Sequence, residues 1–228
     1  MRVGIMVAME AEYELIRRLL EQGEEKKIAG TVFLEGSVGG KTVVAARSGI
    51  GKVCAAAAAV ELIRNFAPDC LINTGVAGGI DRSLQVMDVV AGREVVYHDV
   101  WCGEGNLPGQ VQGFPPVYTG DPGLYRQAME LPGRLKGGLI CSGDRFITDR
   151  SELEQIKATF PEGLAVDMES GAIAQVCYLY SVPFLSFRVI SDTPGVENHA
   201  EQYKNFWQQA PGATFEIVRT LLTRLSLD

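Results

Sequence analysis

The stretch AVDMESGAIAQVCYLYSVPFLSFRVISD, residues 165–192, reads as strand, helix and strand. Residues 164–166 form a short apolar run. Residues 169–180 are long enough for several helical turns, and residues 184–191 are rich in the Phe, Val and Ile of a buried strand. Three carboxylates, Asp167, Glu169 and Asp192, stand at the ends of these apolar elements. Ligands of α/β sheets bind beyond the carboxyl ends of strands. The acids therefore mark a candidate site as well as element boundaries.

The same alternation continues toward both termini. Residues 2–8 read as a buried strand, and residues 10–22 as a helix with Leu15, Ile16, Leu19 and Leu20 at helical spacing. Strands at 31–35 and 41–48 flank a Gly39-Gly40 turn. Residues 51–66 form a helix whose alanines permit close packing. Residues 70–74 are a buried strand ending in the loop GVAGGID, and 88–98 are another strand. Residues 99–120 are rich in Gly and Pro and read as a long functional loop. A strand at 139–142 and helices at 150–159 and 202–225 complete the pattern. It predicts an α/β fold around a mostly parallel or mixed sheet. There is no internal repeat and no linker composition, so residues 1–228 read as one domain.

With 228 residues the chain can bury a sizeable core. Its formal charge of −7 argues against nonspecific nucleic-acid binding and favours a small substrate or a protein partner. The opening residues run directly into an acidic helix, unlike a signal peptide. No apolar run reaches the roughly 18–20 residues that span a membrane; residues 53–63 are Ala-rich and broken by Glu61. Cys54, Cys70, Cys102, Cys141 and Cys177 are widely spaced without a CxxC. They suit free thiols in a reducing cytoplasm. With only His98 and His199 besides, the chain offers no zinc pattern, and no metal is expected.

On this layout Glu12 follows the first strand, the glycines at 75–79 follow a central one, and Glu169 and Asp192 follow two late ones. All would meet at one edge of the sheet. Each has a purely structural alternative. Glu12 and Glu169 suit the first turn of a helix, where the dipole favours acids. Asp192, before Thr193-Pro194-Gly195, suits a turn. GVAGG could be a tight turn; neither GxGxxG nor GxxxxGK[ST] is present. Several carboxylates without a Ser–His pair or a metal cluster fit acid–base hydrolysis, including glycosidic cleavage. Phe146 could stack on a base or fill the core.

The chain resembles the 5′-methylthioadenosine/S-adenosylhomocysteine nucleosidases of the purine nucleoside phosphorylase superfamily. The segments that carry the resemblance are GIMVAMEAE (4–12), SGIGKV (48–53), INTGVAGG (72–79), YHD (97–99), SGDRFI (142–147), VDMESGAIAQVC (166–177) and RVISD (188–192). The resemblance implies a three-layer α/β/α sandwich with a central mixed sheet, a homodimer, a nucleoside substrate and no cofactor. It implies that Asp192, set by Ser191, protonates adenine N7, and that Glu12 holds the attacking water with Arg188 nearby. Glu169 would bind the ribose hydroxyls, with Met9 and Met168 against the sugar. Phe146 would stack on adenine while the backbone of Ile147 reads its edge. Ile50 and Tyr203 would line the 5′ pocket. Val76, Ala77, Gly78 and Asp167 complete the implied substrate-binding set. Residues 100–115 would reach into the neighbouring subunit.

Three departures from the family pattern matter. Val76 stands where the family often has Ser, which bears on the water site. VDMES replaces VEMEA, keeping Glu169 but shortening its neighbour to Asp167. The segment VWCGEGNLPGQVQGFPPVY differs most and bears on the 5′ group. Asn73 and Val76 offer little to a phosphate dianion, which favours water over phosphorolysis. The alternatives are a futalosine or aminodeoxyfutalosine nucleosidase, a nucleoside phosphorylase, and a nucleoside-binding protein without turnover.

Overall fold

The computed structural model describes residues 1–194, 196, 198–209 and 211–226. Ten strands form one mixed sheet: β1 (Arg2–Val7), β2 (Glu21–Ile28), β3 (Thr31–Val38), β4 (Lys41–Arg47), β5 (Cys70–Gly79), β6 (Val89–Tyr97), β7 (Tyr118–Thr119), β8 (Leu135–Ser142), β9 (Gly163–Asp167) and β10 (Phe184–Asp192). The order is β10-β6-β8-β9-β5-β1-β4-β3-β2, with β7 on β6. The long strand β5 also pairs with β10, so β5, β10, β6, β8 and β9 close into a ring.

Helices cover both faces. α2 (Lys52–Phe66) and α5 (Ser170–Tyr180) share one apolar core, built from Ala55, Ala58, Ala59, Leu62, Ala172, Ile173 and Cys177. α1 (Glu10–Leu19), α3 (Pro122–Met129), α6 (His199–Gln209) and α7 (Pro211–Arg224) share the other, through Tyr13, Ile16, Leu124, Phe206, Phe215 and Leu221. α4 (Arg150–Thr159) closes a smaller cluster with Ile156. This is the expected three-layer α/β/α arrangement around a mixed sheet. α2 lies close on the sheet: Ala55, Ala58 and Ala59 are fully buried, and a Cβ at Gly4 of β1 would stand 2.8 Å from Leu62 Cδ2.

Four expectations change. The first helix stops at Leu19, because Leu20 turns extended and Gln22 takes φ 54°. Residues 21–28 then pair antiparallel with β3 as an exposed edge strand. Its charges explain both the choice and the missed reading, since edge strands are protected by charge and show no apolar alternation. Second, GVAGG is not a loop but the second half of β5. Gly78 pairs with both β10 and β9, and Gly79 with β9. A Cβ at Gly78 would lie 2.8 Å from Pro194 Cγ, so these glycines serve close backbone packing within the sheet. Third, α3 follows the long loop, capped by Asp121, which accepts the Leu124 N–H at 2.9 Å, with Pro122 in the first turn. Fourth, the helix expected at 202–225 is two helices, and Pro211 opens the second, where a missing N–H costs nothing. That stretch crosses Ala210, and the turn reading of Asp192 reaches Gly195; both lie outside the described residues.

Candidate functional site

The carboxyl ends of β1, β5, β9 and β10 open onto one cavity, closed by the first residues of α1 and by α6. Met9, Glu12, Ile50, Val76, Ala77, Gly78, Phe146, Ile147, Asp167, Met168, Glu169, Ser191, Asp192 and Tyr203 all line it. Arg188, the remaining candidate, lies behind the wall.

Glu12 is 1% exposed. Its Oε2 accepts the backbone N–H groups of Ala8 and Met9, each at 3.0 Å, and its Oε1 accepts that of Val76 at 3.0 Å. Glu12 does sit in the first turn of α1, and its carboxylate ties that start to β5 while lining the cavity. Burial raises its pKa, opposed by the Met9 and Val76 N–H groups, by Arg188 and by the Ala8 N–H. Val76 takes part through its main chain, so the change from Ser to Val leaves this N–H contact in place. Gly75 makes the junction possible. Its φ of +144° favours glycine, and a Cβ there would collide with Glu12 Oε1 and stand 3.0 Å from Arg188 Nη1.

Arg188, in β10, is the hub of a buried polar web. Its Nε lies 2.8 Å from Asp167 Oδ2, its Nη2 donates to Asn73 Oδ1 and lies 3.8 Å from Glu169 Oε2, and Nε also reaches Ser170 Oγ at 3.3 Å. Ser170 bonds Asp167, Asn73 and Ser186 in turn. A buried guanidinium is tolerable only when its donors are matched in this way. Asp167 borders the cavity, yet its carboxylate is engaged by Arg188 and Ser170. Glu169 Oε1 accepts the Gly51 N–H at 3.0 Å, joining α5 to the start of α2. Burial raises the Glu169 pKa to about 7, against the pull of Arg188.

Asp192 ends β10 with 2% exposure. Its Oδ1 receives the Ser191 hydroxyl at 2.5 Å, and its Oδ2 lies 2.8 Å from His199 Nε2. The histidine contact is within ion-pair range without the alignment of a formed hydrogen bond. Burial raises the Asp192 pKa, while Ser191 and His199 lower it. Burial thus favours the protonated form of this carboxyl, the form a general acid needs.

The opposite side of the cavity is apolar and open. Phe146 and Ile50 are each 56% exposed. The Phe146 ring meets His199 at 5.7 Å and Tyr203 at 5.8 Å between centroids, and the Tyr203 hydroxyl lies 3.5 Å from Met9 Sδ. Ala8, Arg145, Val166 and Pro194 also line the cavity and were not singled out in the sequence. Neither was His199, whose only signal is a histidine at the start of a helix seven residues beyond Asp192. Among the described residues, no group of three or more His, Cys, Asp or Glu is placed to hold a metal ion, and no helix is long and apolar enough to cross a membrane.

Comparison with known proteins places these features in context. The family model described as "Phosphorylase superfamily" matches residues 2–223. A 5′-methylthioadenosine/S-adenosylhomocysteine nucleosidase from Tolumonas auensis is 43% identical over 204 residues, covering 87% of this chain and 89% of that protein. The nucleosidase of the same name from Neisseria meningitidis, solved in complex with methylthio-immucillin-A, superposes with a TM-score of 0.93 at 38% identity, covering 98% of this chain and 99% of that one. A futalosine hydrolase from Helicobacter pylori superposes with a TM-score of 0.91 at 27% identity, covering 98% of each chain.

Proposed function

The chain belongs to the 5′-methylthioadenosine/S-adenosylhomocysteine nucleosidase family of the phosphorylase superfamily, and from this premise we propose how its cavity works. The protein is a purine nucleosidase. It hydrolyses the N-glycosidic bond of adenine nucleosides that carry a 5′-thio substituent, releasing adenine. The observation that carries the assignment is the convergence of Glu12, Glu169 and Asp192 on one cavity whose other wall is aromatic.

The proposed roles are those that the family resemblance implies, and the surroundings of each group support them. Adenine packs on Phe146, with the backbone of Ile147 at its edge. Asp192, held by Ser191, gives its proton to N7, so the base leaves neutral when the C1′–N9 bond breaks. Positive charge develops on the sugar as it departs. Glu12 holds a water, and takes a proton from it as its oxygen bonds to C1′. Glu169 accepts the ribose hydroxyls, and Met9 and Met168 pack on the sugar. Arg188 acts from behind the wall, holding Asp167 and Glu169 and favouring the ionised form of Glu12. Ile50 and Tyr203 flank the 5′ group, and Val76, Ala77 and Gly78 form the floor. Side chains and water supply this chemistry without a cofactor.

Water is favoured over phosphate because both arginines near the site are engaged. Arg188 is shared among Asp167, Asn73 and Glu169, and Arg145 is paired with Glu152. Adenine release from 5′-methylthioadenosine at a rate independent of added phosphate is the expected result. Accumulation of a sugar 1-phosphate would refute hydrolysis. The Helicobacter similarity and the hydroxyl of Tyr203 make futalosine the competing substrate, and parallel assays for free base decide between them.

A homodimer is part of the proposal, working in the cytoplasm as a single domain over residues 1–228. Its support is apolar exposure: Trp101 and Leu107 on the long loop and Tyr178, Leu179 and Tyr180 on α5 are all exposed. On this reading residues 100–115 complete the partner's 5′ pocket. Light scattering that finds a fully active monomer would refute it.

A further inference from the structure

His199 is the one imidazole in contact with the carboxyl that the proposed mechanism uses as its acid. It is 6% exposed, and its Nε2 faces Asp192 Oδ2 at 2.8 Å. That nitrogen is buried and has no aligned hydrogen-bond partner among the described residues. Leaving a buried polar atom in this state is unfavourable for the folded protein alone. The same cost is acceptable at a site where the missing bond forms during reaction.

We infer that His199 is a positioning residue for Asp192, donating from Nε2 to Oδ2 as the carboxyl gives up its proton. The inference rests on the nucleosidase reading above. Ser191 fixes one carboxyl oxygen and His199 faces the other, so the group cannot rotate freely and one edge stays turned to the cavity. In the ground state burial favours the protonated carboxyl, and the 2.8 Å contact lacks hydrogen-bond alignment. As the proton passes to N7, the C1′–N9 electron pair moves onto the base and Asp192 is left an anion. A donor on Oδ2 then becomes a charge-assisted bond. An interaction stronger in the transition state than in the ground state raises turnover rather than affinity.

The position of His199 supports this function. It opens α6, and Tyr203 lies one turn later on the same face. Phe146 touches both rings. The residue that meets the acid and the residue that flanks the sugar's 5′ end are therefore carried by one helix. Both are backed by the ring expected to stack on the base.

The test uses the full-length protein and adenine release from 5′-methylthioadenosine. His199→Ala should lower kcat about tenfold or more, the loss of a hydrogen bond to a charged group, with KM nearly unchanged. His199→Gln places an amide donor near the position of Nε2 and should recover much of the loss. His199→Asn, too short to reach Oδ2, should not; this pair carries the test if the alanine variant fails to fold. A 4-nitrophenyl 5-methylthioriboside needs no proton on its leaving group, so its cleavage should be spared in every variant. Unchanged kcat, a rise in KM alone, equal loss with both substrates, or no advantage of Gln over Asn would each overturn the inference. A wild-type protein that releases no adenine would instead sink the nucleosidase reading itself.

Discussion

At one end of the cavity, proposed to hold the sugar, each oxygen of Glu12, Asp167 and Glu169 faces a donor held by a strand end, a helix start or Arg188. At the other end, Phe146 and Ile50 are more than half exposed, the Phe146 ring meets those of His199 and Tyr203, and the Tyr203 hydroxyl meets the Met9 thioether. The first region is held before substrate arrives; the second is apolar and open, ready to close on it. The difference suits the chemistry. Transition-state charge is stabilised best by dipoles that need not reorganise, whereas an aromatic base gains from contact area that any nearby ring can supply. Damage to the fixed region should therefore appear in turnover, and damage to the open region in affinity.

Within the fixed region the largest expected effect is that of Glu12→Gln. The amide cannot take a proton from water, and its NH₂ would face a backbone donor. Turnover should fall by roughly 10²–10⁴-fold, with KM little changed. A tenfold rise in KM at constant kcat would erase the contrast between the two regions.

Glu169→Gln tests how far the fixed region is maintained at the expense of stability. The wild-type carboxyl has a folded pKa of about 7, raised from 4.5 by burial. The unfolded chain releases that proton near pH 4.5, the folded chain only near 7. The stability contribution of Glu169 is thus complete below pH 4.5 and lost as pH rises to 7. The glutamine variant has no such loss. Relative to wild type it should gain about 3 kcal/mol between pH 4.5 and 7.5, read as a melting-temperature difference that opens with pH. A constant difference would show that folding leaves the Glu169 pKa unshifted.

The smallest effect belongs to the open region. Phe146→Ala removes one stacking face, worth on the order of 1–3 kcal/mol. It should raise KM for 5′-methylthioadenosine about tenfold while kcat holds within a few-fold. A loss confined to kcat would move Phe146 into the fixed region.

The two regions were not equally readable from sequence. Glu12, Glu169 and Asp192 could be placed together because each follows an apolar strand, and strand ends converge. Phe146 had equal claims to core and site, since an aromatic beside a strand serves both; its exposure settles the matter against the core. The web behind the wall left no periodic signal, because Asn73 and Ser170 meet Arg188 from another strand and a helix, and Ser186 joins only through Ser170. β2 was hidden by its charges. The two halves of β5 read as strand and loop because glycines carry little strand propensity, although it is their lack of a side chain that lets β5 bend between β9, β10 and Glu12. The break between α6 and α7 was signalled by Pro211, and the cap of α3 by Asp121-Pro122.

In the proposed mechanism proton delivery to the base joins the two regions, through Asp192. Single-turnover release of adenine by purified Asp192→Asn, with folding checked by thermal melting, tests that role most directly. Asparagine keeps the size and can still hydrogen-bond N7, but it has no carboxyl proton to give. Turnover should fall by roughly 10²–10⁴-fold or more, with inhibitor affinity much less affected. Near wild-type turnover in a folded variant would contradict the mechanism and leave Asp192 as the cap of a turn.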